Sequence, residues 1–255
     1  MSPPQLVEVA GWLAAASQVT VLTGAGVSTD SGIPDFRGPN GVWTRDPEAA
    51  RLVTLDAYVG DPAVRERAWR QRRDHPAWSA EPNAAHLALV DLERSGRLHA
   101  IVTQNIDGLH QRAGSDPSRV VEIHGTLSEV QCLTCGGRTT MAAALARVAA
   151  GEADPACLRC GGILKSATVS FGQALDPATM RAAILAAAQC DLLLAVGTSL
   201  TVHPAAGLVD VAREAGARVV VLNGSPTPYD AVADAVLREP IGTALPELVR
   251  VALAG

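Results

Sequence analysis

The chain has 255 residues, 48% of them hydrophobic, enough for one large domain or one domain carrying a smaller insert. A formal net charge of −5 argues against an electrostatic nucleic-acid binder, which would carry a basic excess. Only Lys165 is lysine among the 21 basic residues, a bias that reads as arginine-rich codon usage.

Met1 to Gln5 lack a basic segment ahead of an apolar stretch, so no signal peptide is expected. Apolar runs such as Leu192 to Val196 are far too short to span a bilayer. The expectation is a soluble, cytoplasmic protein without a membrane partner.

In chain order, Gln5 to Ser17 has helical spacing and Val19 to Thr23 reads as a buried strand. Small residues follow, Gly24-Ala25-Gly26-Val27-Ser28, then Gly32-Ile33-Pro34-Asp35-Phe36-Arg37-Gly38, which is turn chemistry. Residues 30–80 read as irregular, with a helix over Pro62 to Arg73. A further helix runs from about Asn83 to Ser95-Gly96, where the glycine suits a C-terminal stop. Strands are predicted over His99 to Thr103 and Arg119 to Ile123, the second ending at His124-Gly125. From Thr126 to about Lys165 cysteine-glycine turns flank a helical stretch, Met141 to Ala150. Alternation then resumes: helix Pro177 to Gln189, strand Asp191 to Val196, helix Pro204 to Ala215, strand Arg218 to Leu222. A last helix runs from about Leu245 to Leu253. Strands alternating with helices predict a parallel α/β sheet, with the cysteine segment as an insertion.

Cys132-x-x-Cys135 and Cys157-x-x-Cys160 each precede a glycine pair. Two such turns supply four thiolates to one structural Zn²⁺ and leave no open coordination position. Redox dithiols or inert core cysteines are the alternative, and the paired spacing fits them less well. Cys190, alone before a strand, reads as a small buried residue.

Gly24-Ala25-Gly26 alone is a weak signal. Its dinucleotide-fold form needs a third glycine where Thr29 stands, and an acid ending a second strand. No strand is predicted after the first helical turn, so a hydride-transferring dehydrogenase is disfavoured while nucleotide binding is not.

Several motifs together resemble the sirtuins, the NAD-dependent protein lysine deacylases, and of their bacterial type. They are Gly24 to Ser28, Gly32 to Arg37, Thr103-Gln104-Asn105-Ile106-Asp107-Gly108-Leu109-His110, His124-Gly125, the cysteine pairs and Gly197-Thr198-Ser199, in the family's order. The resemblance implies a Rossmann-like parallel sheet from residues 1–33, 81–125 and 169–255 with a zinc-ribbon insert over 126–168. Residues 34–80 would form the cofactor loop and the helical part of the small lobe. It also implies a reaction in which the acyl oxygen of a substrate lysine attacks C1′ of the NAD ribose and displaces nicotinamide. The acyl group ends on ADP-ribose.

By the resemblance, His124 is the general base on a ribose hydroxyl, a role that suits a group titrating near neutral pH. Asn105 and Asp107 would hold nicotinamide, although both also suit an Asx cap of the turn after a strand. Asp35, Phe36 and Arg37 map onto the flexible cofactor loop. Gly24, Ala25, Gly26 and Ser28, with Gly197, Thr198 and Ser199, would cradle phosphate and ribose. Asn223 and Ser225 would meet the adenosine side; Gln104, Ile106 and Ile241 complete the cofactor set.

The acyl-peptide side maps onto Val169-Ser170-Phe171-Gly172, a strand edge for an extended peptide, with Gln173 where the family often has glutamate. Trp69 and Arg72 hold the spacing at which some sirtuins carry Tyr-x-x-Arg for succinyl or malonyl groups. Tryptophan lacks the phenol, and an arginine-rich helix is often just a solvated face. Pro39 to Thr44 looks instead like the branch that removes long acyl chains or transfers ADP-ribose. Deacetylation is the default expectation. ADP-ribosyl transfer, other acyl groups and a non-catalytic NAD sensor remain alternatives, and the oligomeric state stays open.

Overall fold

A computed structural model describes residues 3–38 and 41–254. Pro39 and Asn40 of the Pro39 to Thr44 motif, and Met1 and Ser2, therefore lie outside the described residues. Helix α1 (Pro3–Ala15) leads into strand β1 (Val19–Thr23), which passes directly into a 3₁₀-helix, Ala25–Ser31. Short helices follow: α2 (Val42–Arg45), α3 (Leu55–Gly60) and α4 (Pro62–Arg73). Then come α5 (Ala84–Arg94), β2 (Leu98–Thr103), α6 (Leu109–Ala113) and β3 (Val120–Glu122). Strands β4 (Gly125–Cys132) and β5 (Arg138–Thr140), helix α7 (Met141–Ala149) and strand β6 (Leu164–Thr168) form the next stretch. The chain closes with α8 (Pro177–Gln189), β7 (Leu192–Val196), α9 (Leu208–Glu214), β8 (Arg218–Leu222), β9 (Ala235–Leu237) and α10 (Ile241–Ala254).

Six strands form one parallel sheet in the order β3-β2-β1-β7-β8-β9. The chain turns to β2 on one side of β1, while β7 lies on the other. The strand order therefore reverses at β1, and the carboxyl ends of β1, β2 and β7 meet at the crevice where such sheets bind ligands. Alternation along the strands builds both faces. Val19, Val21, Ile101 and Leu194 pack under α1, α5 and α10, whereas Leu22, Val102, Leu193 and Val221 pack under α8 and α9. Thr20 shares the second face and donates its hydroxyl to Ala186 O at 2.7 Å, so the polar strand residue is satisfied inside the core.

The smaller sheet is antiparallel, in the order β5-β4-β6. Its core joins Leu127, Val130, Met141 and Leu164 to Trp69 of α4, with Ile33 and Ile106 packed against it. Among the described residues no helix is long and apolar enough to cross a membrane.

Three stretches differ from the sequence reading. The 30–80 segment holds more short helix than its glycines and prolines suggest. Helix α10 begins at Ile241, ahead of Pro246, because Thr243 and Ala244 close its first turn on Pro240 O. Its apolar stripe, Ala244, Leu245, Leu248, Val249 and Ala252, stays on the core and outweighs the one backbone bond the proline removes. The helix expected over Pro204 to Ala215 is a 3₁₀ turn, Ala205–Gly207, followed by α9.

Asn83 ties the long excursion after β1 to α5. Its Oδ1 accepts from the amides of Ala85 and His86, and its Nδ2 donates to Val27 O and Ser31 Oγ, both at 2.9 Å. Replacing Asn83 by Ala removes the cap and these ties together, and should cost about 2 kcal/mol in urea unfolding. Asn83→Asp keeps the cap alone and should fall between Asn83→Ala and the unmodified chain.

Candidate active site and metal centre

The crevice is closed at its base by backbone packed on backbone. A Cβ on Gly24 would lie 2.7 Å from Gly197 O, one on Gly26 2.8 Å from Gly197 Cα, and one on Gly197 2.5 Å from Val27 N. Gly24 N donates to Val196 O and Gly26 N to Gly197 O. Both amides are thus spent on joining the β1 and β7 loops and are not aimed at a phosphate. The glycines are needed for close approach, and Ala25 sits between them at the start of the 3₁₀-helix.

Ser28, almost wholly buried one turn further on, links two expected nicotinamide residues. Asn105 Nδ2 donates to Ser28 Oγ at 3.1 Å, and Ser28 Oγ donates to Asp107 Oδ2 at 2.8 Å. Asp107 Oδ1 also accepts from Leu109 N at 3.0 Å, so the Asx cap read from sequence is present as well. Ile106 lies between the two and packs on the core of the small sheet.

Threonines at the strand ends hold this turn from behind. Thr23 Oγ1 donates to Thr103 Oγ1, which accepts from Asn105 N at 3.0 Å. With the Thr23 proton committed, His110 must donate from Nε2 to Thr23 Oγ1 at 3.0 Å. His110 is fully buried and burial pushes its pKa down to about 3, so it remains a neutral donor at working pH. Thr103 and His110 lie within the Thr103 to His110 motif but carry no role in the sequence pattern; their signal is polar residues at positions that the fold must bury.

His124 follows β3, where Gly125 takes φ 73° and packs so tightly on Ala167 O that no Cβ fits. That turn presents His124 at the same sheet edge. Its Nδ1 faces Gln104 O at 3.1 Å. A carbonyl only accepts, so Nδ1 carries the proton and Nε2 keeps a free lone pair. Burial lowers the His124 pKa, and the bond to Gln104 only partly offsets it. Gln104 Nε2 in turn donates to Thr198 Oγ1 at 2.8 Å, joining the β2 end to the β7 loop. Ser199 Oγ pairs with Thr201 Oγ1.

Further out, Asn223 directly follows β8 and donates its side-chain amide to Ser225 O at 2.8 Å. Arg238, paired with Asp230, donates to Asn223 O and Ser225 O. Ile241 starts α10 and packs on the sheet core. The Asp35-Phe36-Arg37 loop is held by Asp35 Oδ1 accepting from Gly38 N. The Phe36 and Trp43 rings meet in a tilted contact at 4.9 Å, Trp43 and Phe171 in another at 5.5 Å, and the Arg37 guanidinium lies over Trp43 at 4.5 Å. Cofactor loop and peptide edge therefore share one aromatic cluster, with Trp43 as the link that the site residues chosen from sequence omit.

The peptide edge is less regular than expected. Val169 N donates to His124 O at 2.8 Å, but Phe171 forms only an isolated parallel bridge with Thr54. Both Phe171 backbone groups are already paired, with Val53 O and Leu55 N. Gln173 Oε1 accepts from Ser170 N, and Gly172 turns with φ 83°. Trp69 and Arg72 stand inside the small lobe and not on a solvated helix face. Lys165 and Tyr58, unassigned from sequence, line a cavity with them.

Cys132, Cys135, Cys157 and Cys160 converge with all four sulfurs within 4.8 Å of one another. Cys132 Sγ and Cys160 Sγ are 3.6 Å apart, Cys135 Sγ and Cys157 Sγ 3.8 Å. Tetrahedral Zn²⁺ with bonds of about 2.3 Å needs sulfur separations of about 3.8 Å. The two turns are built alike: Gly136 and Gly161 adopt left-handed φ of 67° and 70° and donate to the first cysteine's carbonyl. The donor set fits a structural zinc that cross-links the two turns and takes no part in chemistry.

Fold and site together define a nucleotide-binding α/β protein whose second lobe carries a four-thiolate centre. Comparison with known proteins narrows this class. The Sir2 family model matches residues 24–204. NAD-dependent protein deacetylase 2 of Streptomyces coelicolor is 59% identical over 232 residues, 91% of this chain and 96% of that protein. A solved Sir2 enzyme superposes with a TM-score of 0.88 at 37% identity, covering 98% of both chains. A Sir2 protein solved with a deacetylated p53 peptide and 3′-O-acetyl-ADP-ribose gives 0.88 at 32%, covering 96% of this chain and 98% of that one. This chain belongs to the Sir2 family.

Metal analysis of purified protein should find about one zinc per chain. Cys160→Ser should lose that zinc and show cooperative melting at a markedly lower temperature. Native protein free of metal with an unchanged melting temperature would contradict the assignment.

Proposed function

We propose that this chain is an NAD-dependent protein-lysine deacylase that moves an acyl group from lysine to ADP-ribose and releases nicotinamide. NAD is consumed as a substrate. One observation carries the reading: His124 is fixed by Gln104 O as the tautomer whose Nε2 is an unprotonated base, beside the Asn105–Ser28–Asp107 chain. The names of the relatives and the peptide and acetyl-ADP-ribose in a similar structure support the same chemistry.

In this reading Asn105 and Asp107 hold the nicotinamide carboxamide through hydrogen bonds that Ser28 aligns. The acyl oxygen bonds to C1′ as the C1′–nicotinamide bond breaks, so positive charge develops on the sugar. The Asp107 carboxylate favours that charge, and Phe36 covers the sugar against water. His124 Nε2 then takes the proton of a ribose hydroxyl, whose oxygen adds to the acyl carbon. Water completes the balance: the lysine amine leaves and O-acyl-ADP-ribose remains. Gly197, Thr198 and Ser199 hold the phosphate and ribose, and Asn223 and Ser225 the adenosine.

Residues 1–33, 81–125 and 169–255 supply the nucleotide side of the cleft. Residues 126–168 supply the zinc lobe, and 34–80 the covering loop and helices. Acyl-lysine proteins or peptides are the partners in this reading, supported by the peptide in a similar structure, and we read the location as cytoplasmic.

The His124 pKa lies below its ordinary 6.5, so the base form prevails at neutral pH. The kcat/KM for deacylation should fall only on the acid side, with a midpoint below 6.5, and stay level through neutrality. His124→Ala should lower deacylation on the order of 10²- to 10⁴-fold. Exchange of labelled nicotinamide into NAD should persist in that variant, because the base acts after nicotinamide leaves. Loss of exchange in step with deacylation would place His124 in the wrong step.

A further inference from the structure

At one end of the crevice the strand ends stand in register. Val196 of β7 pairs with Leu222 of β8, and Leu222 with Leu237 of β9. The next residues, Gly197, Asn223 and Arg238, therefore lie side by side at the carboxyl edge of the sheet. Main-chain bonds run one residue past the strands: Gly197 N donates to Leu222 O at 2.9 Å and Asn223 N to Leu237 O at 3.1 Å. Beyond them one side chain takes over. Arg238 Nη1 donates to Asn223 O and to Ser225 O, both at 2.7 Å, and Nη2 pairs with Asp230. Asp230 is itself anchored, accepting from Thr227 N at 3.0 Å and from Thr227 Oγ1 at 2.7 Å. Ser225 O also accepts from Asn223 Nδ2, so both of its lone pairs are used.

These bonds set the direction of an amide they do not touch. The Asn223–Gly224 peptide is trans and planar, so its C=O and N–H point opposite ways. Asn223 O faces Arg238 on the β9 side. The Gly224 N–H is thereby turned to the β7 side, where the Gly197-Thr198-Ser199 loop lies. Among the described residues this N–H has no partner. Gly224 is exposed, and a Cβ on it would meet nothing within 4 Å, so the space around it is open. Without Arg238 the peptide plane could rotate, and the donor would lose its aim.

We propose that Arg238 is a positioning residue for NAD: by holding Asn223 O and Ser225 O it aims the Gly224 N–H at a hydroxyl oxygen of the adenosine ribose. The Arg238–Asp230 pair leaves the loop without net charge, which suits a neutral acceptor more than a phosphate. Arg238 acts through the main chain and not by touching the cofactor. Its planar fork reaches two carbonyls and a carboxylate at once, a geometry that a lysine ammonium reproduces only in part. This inference rests on the reading that Asn223 and Ser225 hold the adenosine.

The test is calorimetric binding to the full chain of ADP-ribose and of two analogues, lacking the 2′- or the 3′-hydroxyl of the adenosine ribose. The unmodified protein should bind one analogue several-fold more weakly than ADP-ribose. Arg238→Ala should weaken ADP-ribose itself roughly tenfold, and removing the same hydroxyl should then cost little more. Arg238→Lys should recover part of the affinity and guards against a variant that merely misfolds. In turnover Arg238→Ala should raise the KM for NAD and not that for the acyl peptide. Unchanged ADP-ribose affinity in Arg238→Ala would overturn the proposal. So would equal binding of ADP-ribose and both analogues by the unmodified protein, or a hydroxyl penalty that persists in full without Arg238. Failure of the unmodified chain to bind ADP-ribose at all would instead overturn the cofactor reading on which the proposal stands.

Discussion

Everything in the cleft depends on the contact between Gly24, Gly26 and Gly197. Three positions without a Cβ let the loops after β1 and β7 touch backbone to backbone, at separations of 2.5 to 2.8 Å for any added carbon. A side chain at any of them would push apart the two strand ends where the sheet reverses its order. With the contact made, Gly26 N bonds Gly197 O, and the first turn of the 3₁₀-helix follows at once. Ser28 then falls beneath Asn105 and Asp107. Replacing the second strand of a hydride-transferring fold with this abrupt turn leaves room for a covering loop and a second lobe.

The chemistry that follows is set by direction in the hydrogen bonds. One chain runs from His110 through Thr23 to Thr103, which also accepts the Asn105 amide, while a second runs from Asn105 through Ser28 to Asp107. Each hydroxyl has one proton, so fixing one donor fixes the next. Gln104 does the same for His124 with its carbonyl, while its side chain reaches Thr198. A base, an amide and a carboxylate are thereby held in defined roles before any substrate arrives. The four-cysteine centre and the cavity lined by Arg72 and Lys165 lie in the other lobe, apart from these hydrogen-bond chains.

Much of this was legible in the sequence. Strands β1, β2, β7 and β8 are short apolar runs bounded by turns, and the cysteine spacing alone indicates a tetrahedral centre. What escaped has physical reasons. Strand β5 is exposed at all three residues and β9 is only three residues long, so neither has an alternating apolar face to detect. Pro246 hides the first turn of α10 because a single-residue signal points the other way from the stripe that follows. The contact of the Gly24 and Gly26 amides with the β7 end is not legible, since nothing local reveals that Val196 O and Gly197 O accept from them. Arg72 and Lys165 are 93 residues apart in sequence, so only the folded small lobe shows them lining one cavity.

The account stands most directly on the fate of NAD and the acyl group in a single reaction. Mass spectrometry of products from the full chain, NAD and an acyl-lysine peptide should find nicotinamide, deacylated peptide and O-acyl-ADP-ribose in equal amounts. Nicotinamide released with ADP-ribose joined to the peptide, or released while the acyl group stays on lysine, would contradict it.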